Sequence, residues 1–321
     1  MKEIRWAYVV LAIAAGTAIY LAIIVASDVD RFVSASSDFD WIYVVPVIAL
    51  VTANYLLRAE RWHRYTEEID LGMKRRQSYW TFLAGLSMSV TPGKVGEALK
   101  GVLLKMQNGA PVERGIGVVF VERITDILGV MILIALGAFA FPYGLLSFAI
   151  LAVAIAVAIM VVTSKSLMDR IVAWLRSRRR FRKIGDALDT PLKDTRTLLR
   201  GTNLVRGTAI SSVAWACEGL AFYLILTGMS EDVDVLTAIF IYSFSSVIGA
   251  ISMLPGGMGT TEGTMIGLLL IGGTSSSVSS FVVILTRVCT LWYAVAIGVV
   301  FLGLFRRHRN NQEVQNNAAS D

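Results

Sequence analysis

Two proline-glycine motifs set inside apolar sequence constrain this chain more than any other feature. Pro92-Gly93-Lys94-Val95-Gly96, followed by Glu97, recurs 163 residues later as Pro255-Gly256-Gly257-Met258-Gly259, followed by Glu262. Each motif interrupts hydrophobic sequence too short or too broken to form an ordinary span. In a bilayer, irregular backbone and ionisable side chains persist only where protein or water surrounds them. Breaks in corresponding positions of two halves are the sequence mark of a transporter built from an internal repeat.

Composition points to the membrane independently. Hydrophobic residues make up 55% and charged residues 17%, with a mean hydropathy of +0.64, outside the range of soluble globular domains. Apolar runs at about 6–26, 41–59, 115–140, 145–163, 205–228 and 279–304 each approach the roughly 20 residues needed to cross hydrocarbon. The first is too long for a usual signal-peptide core and is read as a retained span. Two shorter pairs remain, about 79–92 with 94–104 and 235–254 with 263–272. The expected fold is an all-α polytopic membrane protein of six full spans plus two helical hairpins broken at the proline-glycine motifs.

Charge sets the expected orientation. Of 30 Lys and Arg, 25 fall in the N-terminus, the 58–78 loop, the 105–114 loop, the 163–206 loop and the C-terminal tail. Lys94, Lys100, Arg123 and Arg287 lie within membrane segments, and the remaining loops are acidic, with Asp28, Asp30, Asp38 and Asp40 in one and Glu231, Asp232 and Asp234 in another. The positive-inside rule then places both termini in the cytoplasm of a plasma-membrane protein. The two hairpins must enter from opposite sides. Arg123 follows Pro92 by 31 residues and Arg287 follows Pro255 by 32, so the halves 41–140 and 205–304 read as an inverted repeat. One transmembrane domain over 1–305 is expected, its halves joined by the basic segment 163–206, with a disordered tail over 306–321.

Three ordered blocks resemble a known family. They are Thr91-Pro-Gly-Lys-Val-Gly-Glu-Ala-Leu-Lys100, Glu122-Arg-Ile-Thr-Asp126 and Leu254-Pro-Gly-Gly-Met-Gly-Thr-Thr-Glu-Gly263, and Arg58-Ala-Glu-Arg-Trp62 fits the same pattern. They look like the flippase-like transmembrane region of lysylphosphatidylglycerol synthases. The resemblance runs from about residue 40 to 305 and implies a lipid-translocase fold with two re-entrant hairpins. Bifunctional members carry a soluble aminoacyltransferase domain after the membrane part. Only a short polar stretch follows here, so no such activity is expected of these residues. Stand-alone members are variously linked to polyprenyl-phosphate carriers, hopanoids and glycolipids, so the resemblance leaves the substrate open.

The same residues carry the expected chemistry. A helix beginning after a Pro-Gly break turns free N–H groups and a positive dipole end toward its neighbour. With Lys94, Glu97 and Lys100 alongside, that arrangement suits an anionic headgroup. Glu122 and Asp126 share a helix face beside Arg123, and Glu218 and Arg287 are the second-half counterparts. An unpaired charge at mid-membrane costs on the order of 2.5–3.5 kcal/mol, so these groups should pair, Arg123 with Glu97 or Glu262. The pairing could equally be a structural lock between the repeats, and Lys100 could reach the surface by snorkelling. Pro92, Gly93, Gly96, Pro255, Gly256, Gly257 and Gly259 form the breaks, with close helix packing as the plainer reason for their glycines.

The segment 163–206 holds 12 Lys and Arg against four Asp. An apolar stripe of Leu167, Ile171, Trp174 and Leu175 within it suggests an interfacial helix on anionic lipid. Cys217 and Cys289 lie inside spans, His63 and His308 are isolated, and no phosphate-binding loop of the ATPase type is present. No metal, cofactor or nucleic-acid partner is expected. The expected partners are membrane lipids, a second copy of the chain and a separate lipid-synthesising enzyme. The expected function is lipid translocation between leaflets, not catalysis. A small-anion secondary transporter and a membrane-embedded lipid-modifying transferase, the latter using Glu122, Asp126 and Glu262, are the alternatives.

Overall fold

The computed structural model describes residues 29–91, 96–141, 144–163 and 189–318, together with 170, 174 and 177. These residues are helical apart from turns, with no strand among them. The expected span at 6–26 and most of the expected interfacial helix around Leu167, Ile171 and Leu175 lie outside the described residues.

The chain enters on α1 (Val29–Asp38), where the sequence suggested only an acidic loop. Ala35 and Phe39 are buried and Phe32 meets Phe281 edge-on, so a short amphipathic helix packs where its charge pattern masked the periodicity. After a 3₁₀ turn at Trp41–Tyr43 comes α2 (Val44–Glu68), with Pro46 in its first turn, where a missing amide is harmless. Nothing in 47–68 breaks a helix, so α2 continues well past the expected end at residue 59. Arg58 and Arg61, assigned to a cytoplasmic loop by charge alone, are therefore helical and buried.

Next come α3 (Arg75–Gly85), extended by a 3₁₀ turn over Leu86–Met88, and α4 (Leu99–Asn108). Gly109 closes α4 in the left-handed conformation, and Pro111 precedes α5 (Val112–Gly137). Then follow α6 (Gly144–Thr163), α7 (Asp189–Leu198) and the 28-residue α8 (Gly201–Gly228). The last part comprises α9 (Val235–Ile251), α10 (Thr260–Ile271), α11 (Ser276–Arg287), a π-helical turn over Val288–Trp292, and α12 (Tyr293–Ala318). Helix α12 runs on to Ala318, into the segment expected to form a disordered tail; Gln312, Glu313 and Gln315 extend a helix already nucleated upstream.

Among the described residues, three segments are both long and apolar enough to cross a membrane: Trp41–Glu68, Gly201–Gly228 and Ser276–Phe305. Helix α5 has the length, about 39 Å at 1.5 Å per residue, but is interrupted by Glu122, Arg123 and Asp126. The core is built by α2 against α8, α8 against α5, α9 against α5, and α12 against α3. At the last contact a Cβ on Gly298 would stand 2.0 Å from the Ser87 nitrogen, so the two backbones touch.

Helix α9 is fixed at its start by Asp234, whose carboxylate accepts from the Leu236 and Thr237 amides at 2.9 and 3.0 Å. Partial burial works to raise this carboxyl, but the hydrogen bonds outweigh it and hold it below the usual range.

Two outcomes follow. Gly298→Leu should lower the thermal midpoint in detergent sharply, a loss of about 3 kcal/mol or more, whereas Gly303→Leu, with open space around its Cβ, should leave it unchanged. Asp234→Ala should cost about 1 kcal/mol at neutral pH. Because the folded-state pKa is depressed, this stabilisation is present above the unfolded carboxyl pKa of about 3.9 and is lost as pH falls through the folded value. The gap between natural protein and variant in a pH-dependent melting series should close in that acid range.

Candidate functional site

The second proline-glycine break has the backbone its residues predict. Leu254 is extended, Pro255–Gly257 form one 3₁₀ turn, and Gly256, Gly257 and Gly259 have φ of +59°, +67° and +85°. Side chains there would be strained, so glycine is required by conformation as well as by packing. Glu262 then folds back in the first turn of α10 and accepts from the Gly259 amide at 2.7 Å. Its other oxygen accepts from Arg287 Nε at 2.7 Å, while Arg287 Nη2 donates to the Gly256 carbonyl at 2.5 Å. One arginine thus ties the break to its own helix cap.

At the first break, Pro92, Gly93 and Lys94 lie outside the described residues. The flanks are closed by the Gly96 amide donating to Thr91 Oγ1 at 2.8 Å. Glu97 follows in a 3₁₀ turn and accepts from Arg123 Nη2 at 2.9 Å. The two breaks adjoin: Val90 and Met258 share a small apolar cluster with Val295, and a Cβ on Gly256 would lie 3.6 Å from the Val90 Cα.

Around Glu97 the sequence-predicted residues of the first half converge. Lys100 Nζ donates to Glu122 at 2.5 Å and stands 3.6 Å from Glu97. It does not snorkel. Its stem passes Gly85, where a Cβ would lie 2.6 Å from Lys100 Cγ, and its ammonium rests 4.9 Å from the Trp62 ring centroid and 4.8 Å from that of Phe82. Arg123 reaches Asp126 at 3.3 Å as well as Glu97.

Two members of this cluster escaped the residue-by-residue reading. Arg61 Nη1 donates to Asp126 at 2.7 Å, to Thr125 at 3.2 Å and to the Ser211 hydroxyl, and Nη2 lies 3.6 Å from Glu122. Arg58 lies 3.5 Å from Asp126, between the Phe82 and Trp215 rings. Their signal was the unbroken run from 47 to 68, which carries a helix inward from the basic end. Among the described residues, the cluster sets four cations (Arg58, Arg61, Lys100, Arg123) against three carboxylates (Glu97, Glu122, Asp126). Arg123 is its most exposed member, its side chain 24% accessible. Arg58 Nε, Arg61 Nε and Nη2, Glu122 Oε1, Arg123 Nε and Asp126 Oδ2 are buried without a hydrogen-bond partner in the protein.

Glu218 accepts from the Tyr242 hydroxyl at 2.5 Å. Tyr55, also buried, donates to the Thr290 carbonyl in the π turn at 2.6 Å. The described residues contain no group of His, Cys, Asp and Glu side chains suited to a metal ion.

Among curated proteins, the chain is similar to a UPF0104 membrane protein of Methanothermobacter thermautotrophicus, 26% identical over 83% of this chain and 86% of that one. A UPF0104 membrane protein of Methanocaldococcus jannaschii is 24% identical over 68% of this chain and 94% of its own length, and one of Pyrococcus horikoshii is 23% identical over 91% and 96%. The family model described as the lysylphosphatidylglycerol synthase TM region matches residues 9–298, spanning both breaks and every charged residue of the site. The chain is therefore a membrane protein and belongs to the lysylphosphatidylglycerol synthase transmembrane-region family.

Proposed function

We propose that this protein moves an anionic or zwitterionic phospholipid, or a lipid-linked phosphate, between leaflets. The observation that carries the reading is the matched pair of Glu–Arg contacts at two adjoining breaks. Glu97 with Arg123 and Glu262 with Arg287 are separated by 26 and 25 residues, and each glutamate follows its own proline-glycine motif. In this reading α3 with α4, and α9 with α10, are re-entrant hairpins entering from opposite sides. The two halves form an inverted repeat within six spans, and both termini lie in the cytoplasm of the plasma membrane.

Packing supports the repeat. Helix α3 of the first half lies on α12 of the second, α9 of the second lies on α5 of the first, and α2 and α8 lie on each other. Such an exchange of partners is what a pseudo-twofold axis between opposed halves requires. The cluster's polar character supports a charged or zwitterionic cargo, because several of its buried nitrogens and oxygens make no hydrogen bond within the protein and retain hydrogen-bonding capacity for a headgroup. Arg123, the most accessible of them, would meet the headgroup first while the acyl tails stay in lipid. Transport, with no bond made or broken, accounts for a site whose carboxylates are mostly committed to arginine and lysine.

Leaflet exchange in proteoliposomes tests this. A panel of labelled lipids should show acceleration for one headgroup class, lost in Arg123→Ala with folding intact. Acceleration of none would favour a small-anion transporter or a lipid-modifying transferase, and equal rates in both proteins would make Arg123 structural. Arg61→Met should behave differently. It leaves Asp126 and Glu122 short of a buried partner and should cost about 3–5 kcal/mol, read as loss of the folded, monodisperse protein before any transport is measured.

A further inference from the structure

Asp126 uses its two oxygens differently. Oδ1 is locked, accepting from Arg61 Nη1 at 2.7 Å and from the Ser211 hydroxyl at 3.2 Å. Oδ2 is shared. Arg58 Nη2 stands 3.5 Å from it and Arg123 Nη2 stands 3.3 Å from it, yet it accepts a hydrogen bond from neither. Two guanidinium groups, one on α2 and one on α5, thus converge on a single oxygen. Both contacts lack the short, directed geometry of an optimised arginine–carboxylate pair.

Arg58 is itself short of acceptors. Its side chain is 9% exposed, and its Nε is buried with no hydrogen-bond partner. The guanidinium lies 5.8 Å from the ring centroids of Phe82, on α3, and of Trp215, on α8. The Trp215 indole N–H is likewise buried without a partner. Aromatic faces attract the positive charge but do not serve as directed acceptors for the guanidinium N–H groups. Burying such donors is costly unless an acceptor meets them. Arg123, 24% accessible and sharing Oδ2 with Arg58, connects this buried group to the accessible side of the cluster.

We infer that Arg58 and Arg123 form the seat of a phosphate group, and that Asp126 Oδ2 stands in the place a phosphate oxygen takes. The seat rests on the translocation reading for its role and narrows it: phosphate, not the rest of the headgroup, is what the buried cluster recognises. A phosphate entering past Arg123 replaces Oδ2 between the two guanidinium groups and supplies the acceptor that Arg58 lacks. Asp126 is not stranded by the exchange, because Oδ1 keeps Arg61 and Ser211. A neutral headgroup without phosphate has no charge to exchange for the carboxylate oxygen. Asp126, Glu97, Glu122 and Glu218 all act on Arg58 and oppose an incoming anion. The seat therefore holds phosphate loosely, as release on the far side requires. The phosphate belongs either to a lipid headgroup or to a soluble compound.

The test uses the full chain in neutral detergent, with short-chain phosphatidylglycerol, inorganic phosphate and a short-chain diacylglycerol as probes. Binding is measured by calorimetry and by the change in tryptophan emission, with Trp215→Phe identifying the share that comes from Trp215. The natural protein should bind at least one phosphate-bearing probe, with a Trp215 response, and should not bind diacylglycerol. Affinity should fall at least about tenfold in Arg58→Gln, the loss expected for a charged hydrogen bond to phosphate, and by a smaller factor in Arg58→Lys. Arg58→Lys keeps the buried charge and reports on binding even where Arg58→Gln fails to fold. Asp126→Asn should raise affinity, because the carboxylate no longer competes for the seat; a purely structural carboxylate gives the opposite sign. Binding of inorganic phosphate alone assigns a soluble compound; binding of phosphatidylglycerol alone, or competition between the two, assigns a headgroup. Binding of neither, equal binding of diacylglycerol, or affinity unmoved in the Arg58 variants overturns the seat. Leaflet exchange separates the two readings: exchange at the natural rate in the Arg58 variants sinks this inference only, and Arg58-dependent binding without exchange of any lipid sinks translocation only.

Discussion

Burying ionised groups in apolar surroundings is tolerable only if each finds an opposite charge and good hydrogen bonds, and the centre of this protein is arranged around that demand. Asp126 gathers Arg58, Arg61 and Arg123 from two helices, and Glu122 gathers Lys100 and Arg61. These contacts pin α2 and α4 to α5, and through Ser211 they reach α8. The packing obeys the same demand. Gly85 leaves room for the Lys100 stem, and the Trp62 and Phe82 rings cover its ammonium with electron-rich faces.

The breaks place charge where continuous helices could not. An intact helix satisfies its own carbonyls and amides and offers nothing to a polar ligand. Interrupting α9 and α10 at Pro255–Gly259 frees the Gly256 carbonyl for Arg287 and the Gly259 amide for Glu262. In the π turn at Val288–Trp292, directly after Arg287, the Thr290 carbonyl accepts from the Tyr55 hydroxyl as well as from the backbone. The second half therefore handles its buried arginine with backbone and one carboxylate, whereas the first half uses a network of side chains.

The apolar periphery fits the same physics. Val45, Phe139, Leu146, Ile150, Val153, Val205, Ile251 and Val300 are exposed, which water would penalise and lipid would not. Tight backbone approach, as at Gly298 against Ser87, supplies the interhelical attraction that a bilayer withholds from larger apolar side chains.

Much of this was legible in the sequence, because the bilayer makes hydropathy, charge asymmetry and the chemistry of glycine and proline local signals. The apolar runs gave α2, α5, α8 and the last span. The glycines of the second break had to be there because their backbone turns left-handed. The cost of burying charge anticipated a partner for Arg123 in Glu97 or Glu262; that Glu97 takes it while Glu262 belongs to Arg287 was left to the fold. Local signals misled where charge stood for position: Arg58 and Arg61 counted as loop residues because basic side chains mark the cytoplasmic side, and the acidic stretch around Val29–Asp38 hid a helix. Which carboxylate each cation meets, that Lys100 turns inward instead of toward the surface, and that the two breaks adjoin were decided only by the tertiary structure. Those contacts join residues distant in the chain, and their energies depend on burial and geometry that no single segment contains.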